Sequence, residues 1–106
     1  MSIADFAVRA SVGDLQNVVQ GAFLANGLKP RWDSATKGRG IGEFYSIDFE
    51  IFPAVEGTTL RLRKAGSGIV FGGAGLGIAY VRFKQVKEWV SAQFQSRGVL
   101  VGVNER

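Results

Sequence analysis

The side chains that could do chemistry in this chain are carboxylates, lysines, tyrosines and hydroxyls, because the sequence contains no histidine and no cysteine. The lack of cysteine removes thiolate nucleophiles, zinc–thiolate sites and disulfides, and the lack of histidine removes the commonest general base. Nine acidic residues, five lysines, Tyr45 and Tyr80 remain for carboxylate, Schiff-base or tyrosine catalysis. Asp48 and Glu50 lie two residues apart, as the carboxylates of a catalytic pair can.

The residues near Asp48 and Glu50 argue against catalysis. Both carboxylates lie on one face of a predicted strand, and Arg61 and Arg63 belong to the same face of its partner. A carboxylate held by a guanidinium has a lowered pKa and is a poor general acid at neutral pH. We therefore expect surface ion pairs, no enzyme activity, no cofactor and no metal site.

A glycine-rich stretch follows these strands. Residues 65–81 carry no charge and contain six glycines. A glycine turn between a strand and a helix can present backbone amides to a phosphate. The candidates for binding an anion or a nucleotide are Gly66, Gly68, Gly72 and Gly73. The stretch lacks the Lys-Ser/Thr ending of a P-loop, and a mobile or tightly packed glycine loop is the alternative interpretation.

The same stretch bears on membrane insertion. Its seventeen residues reach only the lower limit of a membrane span, and the six glycines make it weakly hydrophobic, so we expect no membrane partner. The first residues have no basic region and soon reach the charged Asp5, so they lack the pattern of a signal peptide. We therefore expect a cytoplasmic protein.

A basic and aromatic region lies between the first helix and the best strand. Cations near aromatic rings on a sheet suit single-stranded nucleic acid, because the cations meet phosphates and the rings stack on bases. The candidate residues are Arg31, Trp32, Lys37 and Arg39, continuing into Phe44. Thirteen basic residues against nine acidic ones give a net charge of +4, which favours an anionic partner. The alternative is an ordinary solvated sheet face with Trp32 at the edge of the core.

The first half of the chain must position this region. Residues 2–10 and 28–35 are predicted strands, and residues 36–40 a turn or flexible loop. A capped helix is predicted to begin at Ser11 and to end at Asn26-Gly27. Its expected buried stripe contains Leu15, Val18, Val19, Ala22 and Phe23.

The clearest strand runs from 43 to 52, and its partner from 58 to 64. In an antiparallel pair, the residue numbers of two opposed residues have a constant sum. Because Ile51 and Leu62 must both face the core, this sum must be odd. A tight turn at Glu56-Gly57 gives a sum of 113 and places Ile51 opposite Leu62. The same register pairs Glu50 with Arg63 and Phe52 with Arg61.

A second helix follows the glycine stretch. Its apolar stripe is expected to contain Ala79, Phe83, Val86, Val90 and Phe94, with Trp89 beside it. A helix starting at Ser67 would be about 43 Å long, against an expected radius of gyration near 13 Å. We therefore place its start between Gly73 and Gly77. Gly98 can end it, leaving 99–103 as a short final strand or a tail.

The predicted fold is a single α+β domain over residues 1–106. Two layers are expected, an antiparallel sheet and two helices on one of its faces, in the order β-α-β-β-β-α with a possible short final strand.

The predicted function is a non-catalytic protein-interaction or assembly module, with a second copy of the chain as a candidate partner. Phe44 and Phe52 lie on the second face of the sheet, where large aromatic residues often mark an interface. Ile69, Phe71 and Leu76 would form an exposed apolar group if the glycine stretch projects. Nucleic-acid binding and anion binding at the two regions above are the alternatives.

Overall fold

The fold is of the α+β class, as predicted, and has one more strand than the sequence indicates. The computed structural model describes residues 3–43, 45–54, 57–65 and 72–106. Its elements are β1 (Ile3–Val8), α1 (Val12–Ala25), β2 (Lys29–Ser34), β3 (Lys37–Ile41), β4 (Ser46–Ala54), β5 (Gly57–Ala65), α2 (Gly72–Ser96) and β6 (Leu100–Glu105). The possible final strand is therefore present as β6.

The six strands form one antiparallel sheet in the order β2-β3-β4-β5-β1-β6. The first strand of the chain lies between β5 and β6, so the strand that follows α2 returns to pair with β1. The edge strands are consequently β2 and β6, which come from opposite halves of the sequence.

Helix α1 begins and ends where the sequence predicts. The Ser11 hydroxyl accepts a hydrogen bond from the Asp14 amide at 3.1 Å, and the Asp14 carboxylate accepts one from the Ser11 amide at 3.4 Å. This reciprocal cap satisfies two amides that the first helical turn leaves without partners. Gly27, with φ +75°, follows the helix end in the left-handed conformation that glycine adopts easily.

Both helices pack on one face of the sheet, which we call the covered face. The predicted stripes of α1 and α2 are buried there with alternate residues of β1, β4 and β5. Trp89 joins the two helices, since a Cβ on Gly21 would lie 3.0 Å from its ring. The covered-face residues of these strands are Ala4, Phe6, Val8, Ile47, Phe49, Ile51, Leu60 and Leu62.

The predicted loop at 36–40 is wrong for every residue after Thr36, because Lys37–Ile41 forms β3 between β2 and β4. Gly38 and Gly40 both face the core. A Cβ on Gly38 would lie 2.8 Å from the Phe49 ring, and one on Gly40 would lie 2.8 Å from the Phe23 ring. These glycines therefore leave room for two core phenylalanines. In the sequence, closely spaced glycines indicate a turn instead.

The predicted register of β4 and β5 is wrong by two positions, although the residue numbers of opposed residues have an odd sum, as predicted. Ile51 lies opposite Leu60, and the pair that closes the hairpin is Ala54 and Gly57. Gly57 has φ +150°, and a Cβ there would lie 2.7 Å from the Val8 carbonyl oxygen. This glycine therefore belongs to the strand beside β1. Because the shift is an even number of residues, the core-facing residues keep their face.

The predicted start of α2 is late, because the helix begins at Gly72. Its 25 residues span about 37 Å at 1.5 Å per residue. The radius of gyration is 13.3 Å, as expected, but the longest dimension is 44 Å. The elongated domain accommodates a helix longer than a domain of average shape would hold.

Candidate functional site

The second face of the sheet carries the candidate site. No helix in the described part of the chain lies on it, and we call it the uncovered face. The strand registers place charged residues in rows across it. One row consists of Arg31, Arg39, Asp48 and Arg63, and the next consists of Lys37, Glu50, Arg61 and Asp5.

Asp48 is the centre of a first arginine–aspartate cluster. One carboxylate oxygen accepts a hydrogen bond from Arg39 Nε at 2.5 Å, and the other accepts one from Arg63 Nη2 at 2.7 Å. Burial by itself would raise the pKa of Asp48, but the hydrogen bonds from both arginines outweigh this effect and lower it. Asp48 is therefore ionised at neutral pH and holds two guanidinium groups in place.

Asp5 is the centre of a second cluster. Arg61 donates two hydrogen bonds to its carboxylate, at 2.8 and 3.2 Å, and Arg106 donates one at 3.0 Å. The hydrogen bond from Arg61 is the main reason that the pKa of Asp5 is lowered. The guanidinium carbon of Arg61 lies 5.1 Å from the centre of the Phe52 ring, within the range of a cation–π contact. The Asp5 carboxylate and the Phe52 ring therefore both orient the Arg61 guanidinium.

A shallow cleft of about 390 Å³ lies over the first cluster. Basic residues outnumber acidic residues in it by five to three: Arg31, Lys37, Arg39, Arg61 and Arg63 against Asp33, Asp48 and Glu50. Arg31 and Arg39 stand directly opposite each other, an arrangement of like charges that destabilises a sheet. An aspartate pairs with each of these arginines, Asp33 with Arg31 at 3.5 Å and Asp48 with Arg39. The lining of the cleft as a whole carries an excess of positive charge.

The structure brings together only part of the predicted nucleic-acid site. Arg31, Lys37 and Arg39 line the cleft, but Trp32 lies on the covered face. Its ring centre is 4.8 Å from that of Phe49, and its indole N–H donates to the Gln20 side chain at 3.3 Å. Trp32 therefore has the core-edge position of the alternative interpretation and cannot stack a base above the arginines.

The predicted partner-binding residues are only partly described. Phe52 lies half-buried on the uncovered face, beneath Arg61. Leu76 lies within α2, but its side chain is outside the described part of the chain. The remaining three, Phe44, Ile69 and Phe71, are outside the described residues.

The predicted anion site in the glycine stretch is likewise only partly described. Gly66 and Gly68 are outside the described residues, whereas Gly72 and Gly73 are the first two residues of α2. The anion site in this stretch therefore stays a prediction.

The predicted ion pairs of Asp48 and Glu50 are partly correct. Asp48 pairs with Arg63, and also with Arg39. Arg61 stands opposite Glu50 but directs its hydrogen bonds to Asp5 instead. No group of three or more acidic side chains among the described residues is placed to hold a metal ion. The described helices include none with the length and apolar character needed to cross a membrane.

Two features escaped the sequence analysis. The pairing of Asp5 with arginines is one of them, and its signal is a single carboxylate in the middle of an apolar strand, which requires a polar partner. On β6, Val101 and Val103 are 58% and 46% exposed. The alternation of valines around Gly102 was the available signal for an edge strand.

The comparisons with known proteins give no relative of this chain. The sequence matches no protein-family model, and neither the curated proteins nor the solved structures contain a match.

Proposed function

We propose that the protein is a non-catalytic interaction module that binds an acidic partner protein on the uncovered face of its sheet. The observation that carries this proposal is the pair of arginine–aspartate clusters centred on Asp48 and Asp5. Together they form an ordered, positively charged surface on a sheet whose other face is occupied by the core.

The clusters support binding because they orient the arginines before a partner arrives. Asp48 uses one oxygen for Arg39 and the other for Arg63, so each guanidinium keeps further N–H donors for a second carboxylate. An arginine that is already held loses less side-chain entropy on binding. Guanidinium groups also match carboxylates in geometry, and arginine is enriched at protein interfaces.

The charge of the cleft supports an acidic partner. Its two excess cations, five basic residues less three acidic ones, attract anions and would repel a basic surface. The role of Asp48 as a double acceptor also favours binding over catalysis, since a carboxylate with a lowered pKa is a weak base.

A binding measurement with a matched pair of variants tests the proposal. The probe is a fluorescently labelled oligoglutamate peptide, followed by anisotropy at low salt. In one variant, Arg31 and Lys37 of the cleft become glutamates. In the control variant, Arg82 and Lys84 on the exposed side of α2 become glutamates, which changes the net charge equally.

We expect the cleft variant to lose at least about tenfold in affinity, and the α2 variant to lose less than about threefold. Equal losses would show that the peptide responds only to net charge and would refute the uncovered face as the binding surface.

Single-stranded nucleic acid is the second candidate, and the grouping of Arg31, Lys37 and Arg39 in the cleft favours it. Its affinity would fall steeply with salt, because the contacts would be made to phosphates. Phe52 is the only aromatic residue of the described part on this face, which leaves little surface for stacking bases.

An oligothymidine of the same charge as the peptide separates the two candidates. Tighter binding of the oligonucleotide, lost when Lys37 and Arg39 become glutamates, would replace the acidic protein with nucleic acid. Tighter binding of the peptide than of the oligonucleotide would support an acidic protein as the partner.

A further inference from the structure

We propose that β6 pairs in antiparallel fashion with β6 of a second copy of the chain, around a two-fold axis at Gly102. This inference is independent of the partner on the uncovered face, because it concerns the edge of the sheet. It joins two sheets into one continuous sheet, with the helices of both copies on the same side.

The two edges of the sheet differ in how open they are to another strand. Edge strand β2 contains Pro30, which has no backbone N–H, and has charged residues on either side of it. Each edge strand has one irregularity in its pairing, between Trp32 and Ser34 for β2 and opposite Ala7 and Val8 for β6. Proline and charge, two usual means of preventing edge-to-edge association, therefore distinguish the two edges. At the other edge, Val101, Gly102 and Val103 are uncharged and exposed.

The hydrogen bonds of β6 show which backbone groups are free for pairing. Ile3 and Arg106 exchange two hydrogen bonds of 2.9 Å, so they form a hydrogen-bonded pair of the β1–β6 ladder. In such a ladder every second residue bonds to the partner strand, which assigns Asn104 and Gly102 to β1. The N–H and C=O groups of the intervening Val103 point away from the sheet. Beyond Gly102 the register shifts, so that Leu100 lies opposite Val8 and Val101 has no partner on β1. Among the described residues, β6 has no partner on that side.

The segment is complementary to itself in one register. When Gly102 lies opposite Gly102 of the second copy, each Val101 lies opposite a Val103 of the other copy. The outward backbone groups of Val103 in each copy then lie beside Val101 of the other copy, which has no partner on β1, and we expect reciprocal hydrogen bonds between them. Val103 lies opposite Phe6 and therefore on the covered side of the joined sheet. Val101 and Val103 are 58% and 46% exposed in one chain, so the pairing removes exposed valine surface from water.

A second copy suits this edge for two reasons. The valine–glycine–valine centre holds no charge, so two chains of net charge +4 place no like charges opposite each other there. The two-fold symmetry also repeats the contact, so that Val101 of each copy lies opposite Val103 of the other, as in any isologous interface. The surface involved is small, so we expect a weak dimer that forms at micromolar or higher concentration.

Because the chain has no cysteine, a single introduced cysteine reports the register directly. Residues facing each other in a pair without hydrogen bonds have Cα atoms about 4.5 Å apart, within the range of a disulfide. Gly102→Cys is expected to give a disulfide-linked dimer under mild oxidation, since no atom lies within 4 Å of a Cβ at this position.

Asn104→Cys is the matched control on the same face of the same strand. In the proposed register its two copies are four residue positions apart, about 13 Å, and do not cross-link. Equal cross-linking of both variants, or none at Gly102→Cys, would overturn the proposal.

Sedimentation velocity tests the association without a cross-link. We expect the unmodified chain to sediment faster as its concentration rises to a few hundred micromolar, and Val103→Lys to remain a monomer. Leu24→Lys is the control, because Leu24 is also an exposed apolar residue, 62% against 46% for Val103, and lies on α1 away from the edge.

A chain that stays monomeric throughout this range would refute pairing with a second copy. The result is separate from the oligoglutamate measurement, which is made at low protein concentration on the uncovered face.

Discussion

The two faces of the sheet are made by the same strands and are stabilised in different ways. On β4, Ile47, Phe49 and Ile51 point into the core, whereas Asp48 and Glu50 between them point to the uncovered face. Packing holds the first face, and its only buried polar side chain among the described residues is Thr58. Ion pairs organise the second. One face therefore specifies the fold, and the other carries charged side chains outside the core.

The largest expected difference between the faces is between two phenylalanines of β4. Phe49 is fully buried against Phe23, Trp32 and the backbone of Gly38, whereas Phe52 is half-buried beneath Arg61. Phe49→Ala leaves a cavity and should lower the free energy of unfolding by about 3–5 kcal/mol. Phe52→Ala should lower it by about 1 kcal/mol.

Urea denaturation of both variants measures these free energies. Similar losses would mean that the uncovered face contributes to stability as the core does, and the contrast between the faces would disappear.

The next largest effect concerns two glycines in strands. Gly40→Ala places a methyl group 2.8 Å from the Phe23 ring, so the core must shift, at a cost of about 1–3 kcal/mol. Gly102→Ala places a methyl group in open space and should change stability by less than about 0.5 kcal/mol. Thermal unfolding at low protein concentration compares the two, and an equal shift in Tm would show that β3 is not packed as described.

A smaller effect separates Asp48 from Glu50 on the uncovered face. Asp48→Asn removes the charge that Arg39 and Arg63 bind, and should destabilise the fold by about 1 kcal/mol at pH 7, because the pair is only partly buried. The pKa of Asp48 is lower in the folded state than in the unfolded chain. Its stabilisation is therefore present above the unfolded value of about 3.9 and is lost as the pH falls through the lower folded value.

Urea denaturation at several pH values below neutral tests this pH dependence, with Glu50→Gln as the control. The difference between the unmodified chain and Asp48→Asn should be constant from pH 7 to about 5 and shrink below about pH 4. A difference that persists unchanged in acid would mean that the asparagine acts through packing rather than charge.

The smallest expected effect on stability is that of Lys37→Glu. It places a second carboxylate opposite Glu50 on an exposed part of the sheet and should cost less than about 1 kcal/mol. The same change alters the charge of the cleft, so binding of the oligoglutamate probe should weaken much more than folding does. If Lys37→Glu lowers the free energy of unfolding more than the free energy of binding, the uncovered face contributes to folding rather than to binding alone.

Most of the fold could be predicted from short-range patterns in the sequence. Ser11 with Asp14 determined the start of α1, and the spacing from Ala79 to Phe94 determined the inward side of α2. In both cases the relevant residues are neighbours along the helix, so the pattern contains the information. The alternation in β4 and β5 gave the correct faces, which decided that Asp48 and Arg63 share a surface.

The remaining features depend on residues that are distant in sequence. Gly38 and Gly40 belong to a strand because Phe49 and Phe23 occupy the space beside them. Asp5 meets Arg61 only because β1 pairs with β5, 56 positions later in the chain. The open edge at β6 exists because this strand pairs with β1 instead of ending as a tail.

The sequence by itself therefore determined most of the residues that face the core, since helical and strand periodicity are local properties of the backbone. Only the tertiary structure decided which strands are neighbours, which carboxylate each arginine holds and which edges are left open. Neighbouring strands are chosen by the combined packing of the whole core, and no single segment of the chain contains that information.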